Sequence, residues 1–382
     1  MVEIDVWDRD DMEPRVREIL DRTVRDRARG PYKAKSDDEV IAMLERFFVA
    51  QGMTGVAISD VQRMAGGASK EQFAFTLAHD GAETERFVLR MDPLEAISQS
   101  CRGREAQLQV ALGKVLPVAP VRWVDIDGEI IGQPAVILGF VKGVTEPSEL
   151  SGKGVSGIGS RYDAWAEKLA PQFVDALVTI HGFDWSGSDM SLFAVPAPGT
   201  RQAAIWQVNA WAKLWWDGLV QPVPIVTYAE RWLRENAPVC DKPVVCHCDL
   251  RIGNFMFEEP SGKFTAVLDW ELGHIGDFHE DIAWATQALF GAWSDDGVFL
   301  VCGLLPRDQF IREYEEKSGN RIDPRKLLYY EVLNAYKCAV MDLGQAIRAA
   351  EESNNHQDLL ITWLGSAGAV FLDQIVKLIR EA

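Results

Sequence analysis

The feature that most limits the fold of this chain is a change of hydrophobic period along its length. Between positions 56 and 142 the apolar residues come in short alternating runs, "VAISDVQRM", "EQFAFTLA", "ERFVLRM" and "VRWVDIDGEIIGQPAVILGFV". Turn residues separate them: Gly66-Gly67, "HDGAE" and Asp127-Gly128. Alternation makes one side of a strand apolar, and such turns fold neighbouring strands back on each other. One helical stretch, "CRGREAQLQVALGKVL", interrupts them. From about Val144 the period lengthens, predicting helices over 162–181, 201–218, 226–236, 279–290, 306–318, 324–352 and 357–381. Only "VVCH" and "KFTAVLDW" break that pattern, and they read as hairpin partners. Strands at one end and helices at the other define an α+β chain with two unequal lobes. The first fifty residues read as helix, the second segment opening on a Ser/Asp cap in "SDDEVIAMLERFFVAQG". The boundaries are then 1–55 for a helical extension, 56–142 for the sheet-bearing lobe and 143–382 for the helical lobe.

Composition narrows the class. A chain of 382 residues, 47% hydrophobic and 25% charged, can bury a large core. No apolar run reaches the roughly 18 residues of a membrane span. The acidic start, "MVEIDVWDRDDMEPRVREIL", lacks the basic and apolar regions of a secretory signal. Six cysteines in so long a chain do not make a disulfide framework, and reduced thiols suit a cytoplasmic protein. A net charge of -18 excludes nucleic acid as the main partner, since phosphate backbones need clustered Lys and Arg. The same charge is compatible with a cationic substrate, or serves solubility alone.

The chemistry concentrates in "VVCHCDLRIGNFMF", 244–257. A zinc site on Cys246, His247 and Cys248 is disfavoured. On a strand the two cysteines share one face and His247 points away, and no second ligand pair completes a tetrahedral set. The cysteines read as small buried hydrophobes. Asp249 and Asn254 place two oxygen-bearing side chains on one loop, and Asp269 ends the next strand. Three such groups at one hairpin mouth suit Mg²⁺ and phosphoryl transfer, although Asp and Asn also favour turns and caps for their own sake. Gly66, Gly67 and Ser69 lie between two strands, where backbone N–H groups can approach phosphate or merely close a hairpin. Arg90 is a cation in an apolar run, and Glu105 on the following helix can pair with it. Trp211, Trp215 and Trp216 read as core or lobe contact, and Asp277 and Glu280 as a solvated helix start.

Taken in order, these segments resemble the aminoglycoside phosphotransferase and choline kinase-like family. "HCDLRIGN" is similar to its His-x-Asp-x-x-x-x-Asn loop, and "VLDWELGHIGDFHEDIAW" to its Asp-Trp-Glu metal segment and the Asp-bearing helix beyond. "GGAS" and "FVLR…REAQLQVAL" resemble its nucleotide loop, basic strand and Glu-bearing helix. The resemblance runs from about Val56 to the C-terminus. It is nearest to the subgroup with Arg on the third strand, relatives of which are fused to acyl-CoA dehydrogenase-like domains. It implies a protein kinase-like two-lobe fold that transfers phosphoryl from ATP, with Mg²⁺, to a hydroxyl of a small molecule; GTP in place of ATP and a homodimer are left open. Asp249 would be the base or orienting group, with Asn254 and Asp269 on Mg²⁺. His247, Arg251 and Asp281 would support the loop, Asp281 by accepting its backbone hydrogen bonds. Gly66, Gly67, Ser69, Arg90 and Glu105 would serve the nucleotide, and the backbone of Ile137, Gly139 and Val141 would meet the purine. Three positions depart from the pattern: Arg90 where Lys is common, Cys248 where Gly is common, and Lys70 where Asn is common. Two alternatives follow, a nucleotide-binding module without turnover and a kinase acting on hydroxyacyl thioesters instead of amino sugars.

Overall fold

The computed structural model describes residues 8–25, 27, 31–64, 70–94, 96, 98, 100–150, 158–218, 221–353 and 358–382. Gly66, Gly67 and Ser69 lie outside the described residues. Helices α1 (Pro14–Arg25) and α2 (Asp37–Ala50) come first. A reciprocal cap starts α2: Ser36 Oγ accepts the Glu39 N–H at 3.3 Å, and the Glu39 carboxylate accepts the Ser36 N–H at 2.7 Å.

Strands β1 (Ala57–Arg63), β2 (Glu71–Ala78) and β3 (Glu85–Met91), helix α3 (Arg102–Leu112), and strands β4 (Val121–Asp125) and β5 (Ala135–Gly139) build the small lobe. The sheet is antiparallel throughout, in the order β1-β2-β3-β5-β4. Alternation puts Phe73, Phe75, Leu77, Phe87, Leu89 and Ile137 on one face, where they bury Phe47, Phe48 and Leu44 of α2. Arg90 faces the other way, because its neighbours Leu89 and Met91 belong to the α2 side.

The large lobe holds α4 (Asp163–Gly182), α5 (Gln202–Asp217), α6 (Pro224–Glu235), β6 (Val244–Cys246), β7 (Phe255–Phe257), β8 (Phe264–Val267), β9 (His274–Gly276) and α7 (His279–Ala285). A small sheet of β10 (Ala292–Trp293), β11 (Phe299–Val301) and β12 (Leu305–Pro306) precedes α8 (Arg307–Ser318) and α9 (Pro324–Val340). A π-helical segment, Met341–Ala346, joins α9 to α10 (Ile347–Glu352), and α11 (Asp358–Glu381) closes the fold. Among the described residues no helix is long and apolar enough to cross a membrane.

Three expectations change. β6 does not pair with β8: β6 pairs with β9, and β8 pairs with β7. Strands of three residues, buried or nearly so on both sides, carry no alternation, so neither β7 nor β9 is visible in the sequence. The helix expected over 279–290 ends at Ala285 and resumes as a 3₁₀ turn at Ala288–Phe290. The run 324–352 is continuous but changes to a π-helix where Gly344 lets the Trp215 ring come close; a Cβ there would lie 3.2 Å from it.

The two N-terminal helices serve different lobes. α2 belongs to the sheet, whereas Met12 and Leu20 join the core of α5 and its neighbours. The N-terminal segment is tied down by hydrogen bonds from Trp206 Nε1 to Asp11 (2.8 Å) and from Asn209 Nδ2 to the Asp11 carbonyl (2.7 Å). Glu13 pairs with Arg104 of α3 and accepts the Ala194 N–H at 2.9 Å. Arg104 also donates to the Leu192 carbonyl at 2.8 Å, Gln107 donates to Ser191 at 2.9 Å, and the Leu192 N–H donates to Gln107 at 3.1 Å. Helix α3, in sequence part of the small lobe, is thereby stitched to the loop before α5.

Candidate active site

The site is assembled where β6 leaves its pairing with β9. Val244 and Val245 are buried, and the alternation that buries Cys246 and Cys248 on one side turns His247 to the other. The His247 Nε2–H donates to the Leu268 carbonyl at 2.9 Å, and its Nδ1 accepts the Asp249 N–H at 3.1 Å. Its ring packs on Trp270 with centroids 4.4 Å apart. Burial pushes the imidazole down to about 4, so it is neutral. His247 therefore bonds the loop to the end of β8 and is buried.

Asp281, in the first turn of α7, lies beneath the loop. It accepts the backbone N–H of His247 at 2.8 Å and of Cys248 at 2.5 Å, and His181 Nε2 donates to it at 2.9 Å. Burial alone would raise this carboxyl; His181 and the loop N–H groups outweigh it and hold it below the usual carboxylate range. Cys248 adopts a φ of 60°, the left-handed conformation in which a glycine is unstrained. The thiol side chain is kept there by burial against Val244 and Cys246.

Past that turn comes Asp249, half-buried. Its Oδ1 accepts from Trp284 Nε1 at 3.0 Å and from Arg251 Nε at 3.1 Å, and its Oδ2 accepts from Asn254 Nδ2 at 2.6 Å. Burial pushes the Asp249 carboxyl up, Arg251 pulls it back, and the Asp269 and Glu271 carboxylates add to the rise, leaving it at about 7. The Arg251 guanidinium lies over the Phe290 ring at 5.1 Å. Asn254 is knitted to β8 by its carbonyl, which accepts the Leu268 N–H at 2.8 Å. Asp269 follows at once, in the left-handed region with φ 64°. Arg90 connects it to the small lobe: Nη2 donates to Asp269 at 2.9 Å and Nη1 to Glu105 at 2.6 Å.

The structure thus brings Asp249, Asn254, Asp269, Arg90 and Glu105 together, with His247, Arg251 and Asp281 as their frame. The donor set fits a hard divalent cation. Asn254 and Asp269 offer oxygen atoms, and the mutual repulsion of the Asp249, Asp269 and Glu271 carboxylates is what such a cation relieves. Of the three residues read as meeting a purine, Ile137 faces α2 and the Gly139 N–H is taken by the Pro120 carbonyl at 2.8 Å. Val141 alone lies beyond the last strand bond, from the Phe140 N–H to the Arg86 carbonyl at 3.1 Å.

Several contributors escape sequence reading. Trp284 bonds Asp249 directly, and only its place in "EDIAW" hinted at a role. Glu280 and Asp277, read as solvated, are buried. Glu280 pairs with Lys337 and with His274 Nε2 at 3.3 Å, whose Nδ1 lies 3.6 Å from Cys248 Sγ. This chain of polar contacts braces the underside of the loop. Trp211 and Trp215 are core residues, as their spacing indicates, and Trp216 is 39% exposed.

Comparison with known proteins agrees with this architecture. The model of the phosphotransferase enzyme family matches residues 60–326. The chain belongs to the phosphotransferase enzyme family. Among solved structures, a candidate aminoglycoside phosphotransferase of Ralstonia eutropha matches with a TM-score of 0.61 at 18% identity, covering 91% of this chain and 99% of that one. Macrolide 2'-phosphotransferase type I matches with a TM-score of 0.54 at 18% identity, covering 89% and 99%. A thermostable mutant of aminoglycoside phosphotransferase APH(4)-Ia, in a ternary complex with AMP-PNP and hygromycin B, gives 0.51 at 15%, covering 88% and 98%. At such identities these neighbours establish the protein kinase-like fold. The curated relatives of this family member are of a different kind. Acyl-CoA dehydrogenase family member 10 of Mus musculus is 26% identical over 210 residues, covering 54% of this chain and 18% of the relative. Member 11 of Gallus gallus is 26% identical over 209 residues, covering 51% and 26%, and member 11 of Mus musculus is 24% identical over 294 residues, covering 73% and 36%. The chain spans between about a fifth and about a third of the length of these relatives.

Proposed function

We propose that this phosphotransferase transfers the γ-phosphoryl group of ATP, with Mg²⁺, to a hydroxyl of a small molecule. The observation that carries the reading is the setting of Asp249: hydrogen-bonded to Asn254 at 2.6 Å, yet within the field of Asp269 and Glu271. In this reading Asp249 orients the acceptor hydroxyl and receives its proton as the new P–O bond forms and the bond to ADP breaks. Asn254 and Asp269 hold Mg²⁺, which when bound neutralises charge on the phosphates. Arg251 and Trp284 hold the Asp249 carboxylate in place, and Asp281 and His247 hold the loop. Catalysis is then mainly positioning and charge neutralisation. A solved neighbour in complex with AMP-PNP and hygromycin B supports both a nucleotide and a small-molecule acceptor.

The acceptor class follows the sequence relatives in preference to the fold neighbours. The relatives named as acyl-CoA dehydrogenase family members favour a hydroxyacyl thioester, whereas the aminoglycoside and macrolide enzymes are similar in fold at 15–18% identity. The deciding experiment is thermal denaturation with ATP, GTP and ADP, each with and without Mg²⁺. Binding to the folded state raises the melting temperature. A Mg²⁺-dependent rise with ATP supports the reading and justifies a screen of hydroxyacyl thioesters against amino sugars. No rise with any nucleotide overturns it in favour of a scaffold of the same fold.

A further inference from the structure

Resting on the ATP reading above, we propose that Lys70, rather than Arg90, is the side chain of the small lobe that contacts the nucleotide phosphates. Arg90 is already committed. Its two terminal nitrogens donate to carboxylates on different elements, Glu105 on α3 at 2.6 Å and Asp269 at the end of β8 at 2.9 Å. A planar guanidinium held at both tips is a strut, and it cannot pivot toward a third acceptor without breaking one of those bonds.

Lys70 stands beside it. Gln72 is the register partner of Arg90, and alternation places Lys70, two residues earlier, on the same face of the sheet. The residue is 1% exposed. Its Nζ lies 3.1 Å from Asp92 Oδ1 and 3.3 Å from Glu271 Oε2, but neither contact has hydrogen-bond geometry. An ammonium with three donors is thus withdrawn from water with its acceptors poorly directed, a state that favours a new acceptor. Both carboxylates also have Arg102 beside them, its Nε 3.4 Å from Asp92 Oδ1 and its Nη2 3.8 Å from Glu271 Oε2. When Lys70 turns to phosphate oxygens, the Arg102 guanidinium stays beside both carboxylates. The two cations divide the work that one lysine does elsewhere, Arg90 bracing the metal segment and Lys70 meeting the phosphates.

The test is a series of dissociation constants for adenosine, ADP and ATP in the presence of Mg²⁺, measured by calorimetry on the full chain and on the Lys70→Met and Arg90→Met variants. Lys70→Met is expected to bind adenosine as the unaltered protein does and to lose about tenfold to a hundredfold in affinity for ADP and ATP. Lys70→Arg recovers part of that loss. Arg90→Met is expected to melt at a lower temperature and to keep most of the preference for ATP over adenosine. Where Lys70→Met does not fold, Lys70→Met combined with Asp92→Asn removes the charge and its nearest partner together, and the same ratio is read. A purely structural lysine would leave the ATP-to-adenosine ratio unchanged, and that result overturns the proposal. So does an Arg90→Met variant that loses the ratio as fully as Lys70→Met. If the unaltered protein prefers ATP no more than adenosine, the nucleotide reading itself fails and this assignment with it.

Discussion

The Asp281 carboxylate receives the backbone N–H of His247 at 2.8 Å, so a helix that begins thirty-two residues downstream of that histidine sets the shape of the loop after β6. The same carboxylate takes the Cys248 N–H and the His181 ring. Asp281→Ala should therefore lower stability by about 3–5 kcal/mol, because it strands buried donors on two elements at once. Urea unfolding measures the loss. A change below about 1 kcal/mol, the worth of an ordinary surface contact, would show that the loop holds its shape without α7.

Asp249 has a different burden. Replacement by Ala should reduce turnover by about a hundredfold to ten-thousandfold, the range for a lost proton acceptor. The rise in melting temperature with Mg²⁺ and ATP should persist, since Asp249 is not assigned to nucleotide binding. Steady-state rates close to those of the unaltered protein would remove Asp249 from the reaction.

Asp269→Ala separates metal from nucleotide. It deletes a proposed Mg²⁺ ligand and one of the two carboxylates that Arg90 bridges. The melting temperature with ATP should then cease to respond to Mg²⁺ over a titration that shifts the unaltered protein. An unchanged titration would contradict the role.

His247 gives a pH dependence with a definite sign. Its folded value, about 4, lies below the ordinary 6.5 because burial disfavours the charged ring. The unfolded chain takes up the proton first as pH falls. The stabilisation is fully present above about pH 6.5 and is lost toward pH 4, about 3 kcal/mol in all. Denaturant melts of the unaltered protein and of His247→Gln, taken across that window, should differ in slope. Parallel curves would mean that the ring is not held neutral.

What the sequence reveals about this site depends on distance along the chain. Asp249 and Asn254 fall in one contiguous segment, and Arg90 stands out as a cation among apolar neighbours, so they are picked out as candidates without coordinates. The reach of Arg90 to Asp269 is not, because 179 residues separate them and no local pattern encodes the meeting. Burial is equally silent. Glu280 sits at a helix start where acids usually face water, yet here it pairs with Lys337 under the loop. The small strands show why register fails: "FMF" and "HIG" are too short to alternate, so the partner of β6 is decided by packing alone.

The stitching of α3 has a mechanical consequence. Arg104, Gln107 and Glu13 fasten this helix to the loop at 191–194, while Glu105 holds it to Arg90 of the sheet, so α3 is anchored on both sides. The Arg90 fork joins that helix to Asp269, with Glu105 on one nitrogen and Asp269 on the other. One guanidinium therefore carries the position of the sheet, of α3 and of Asp269 together, and a change at any one of the three is felt at the other two.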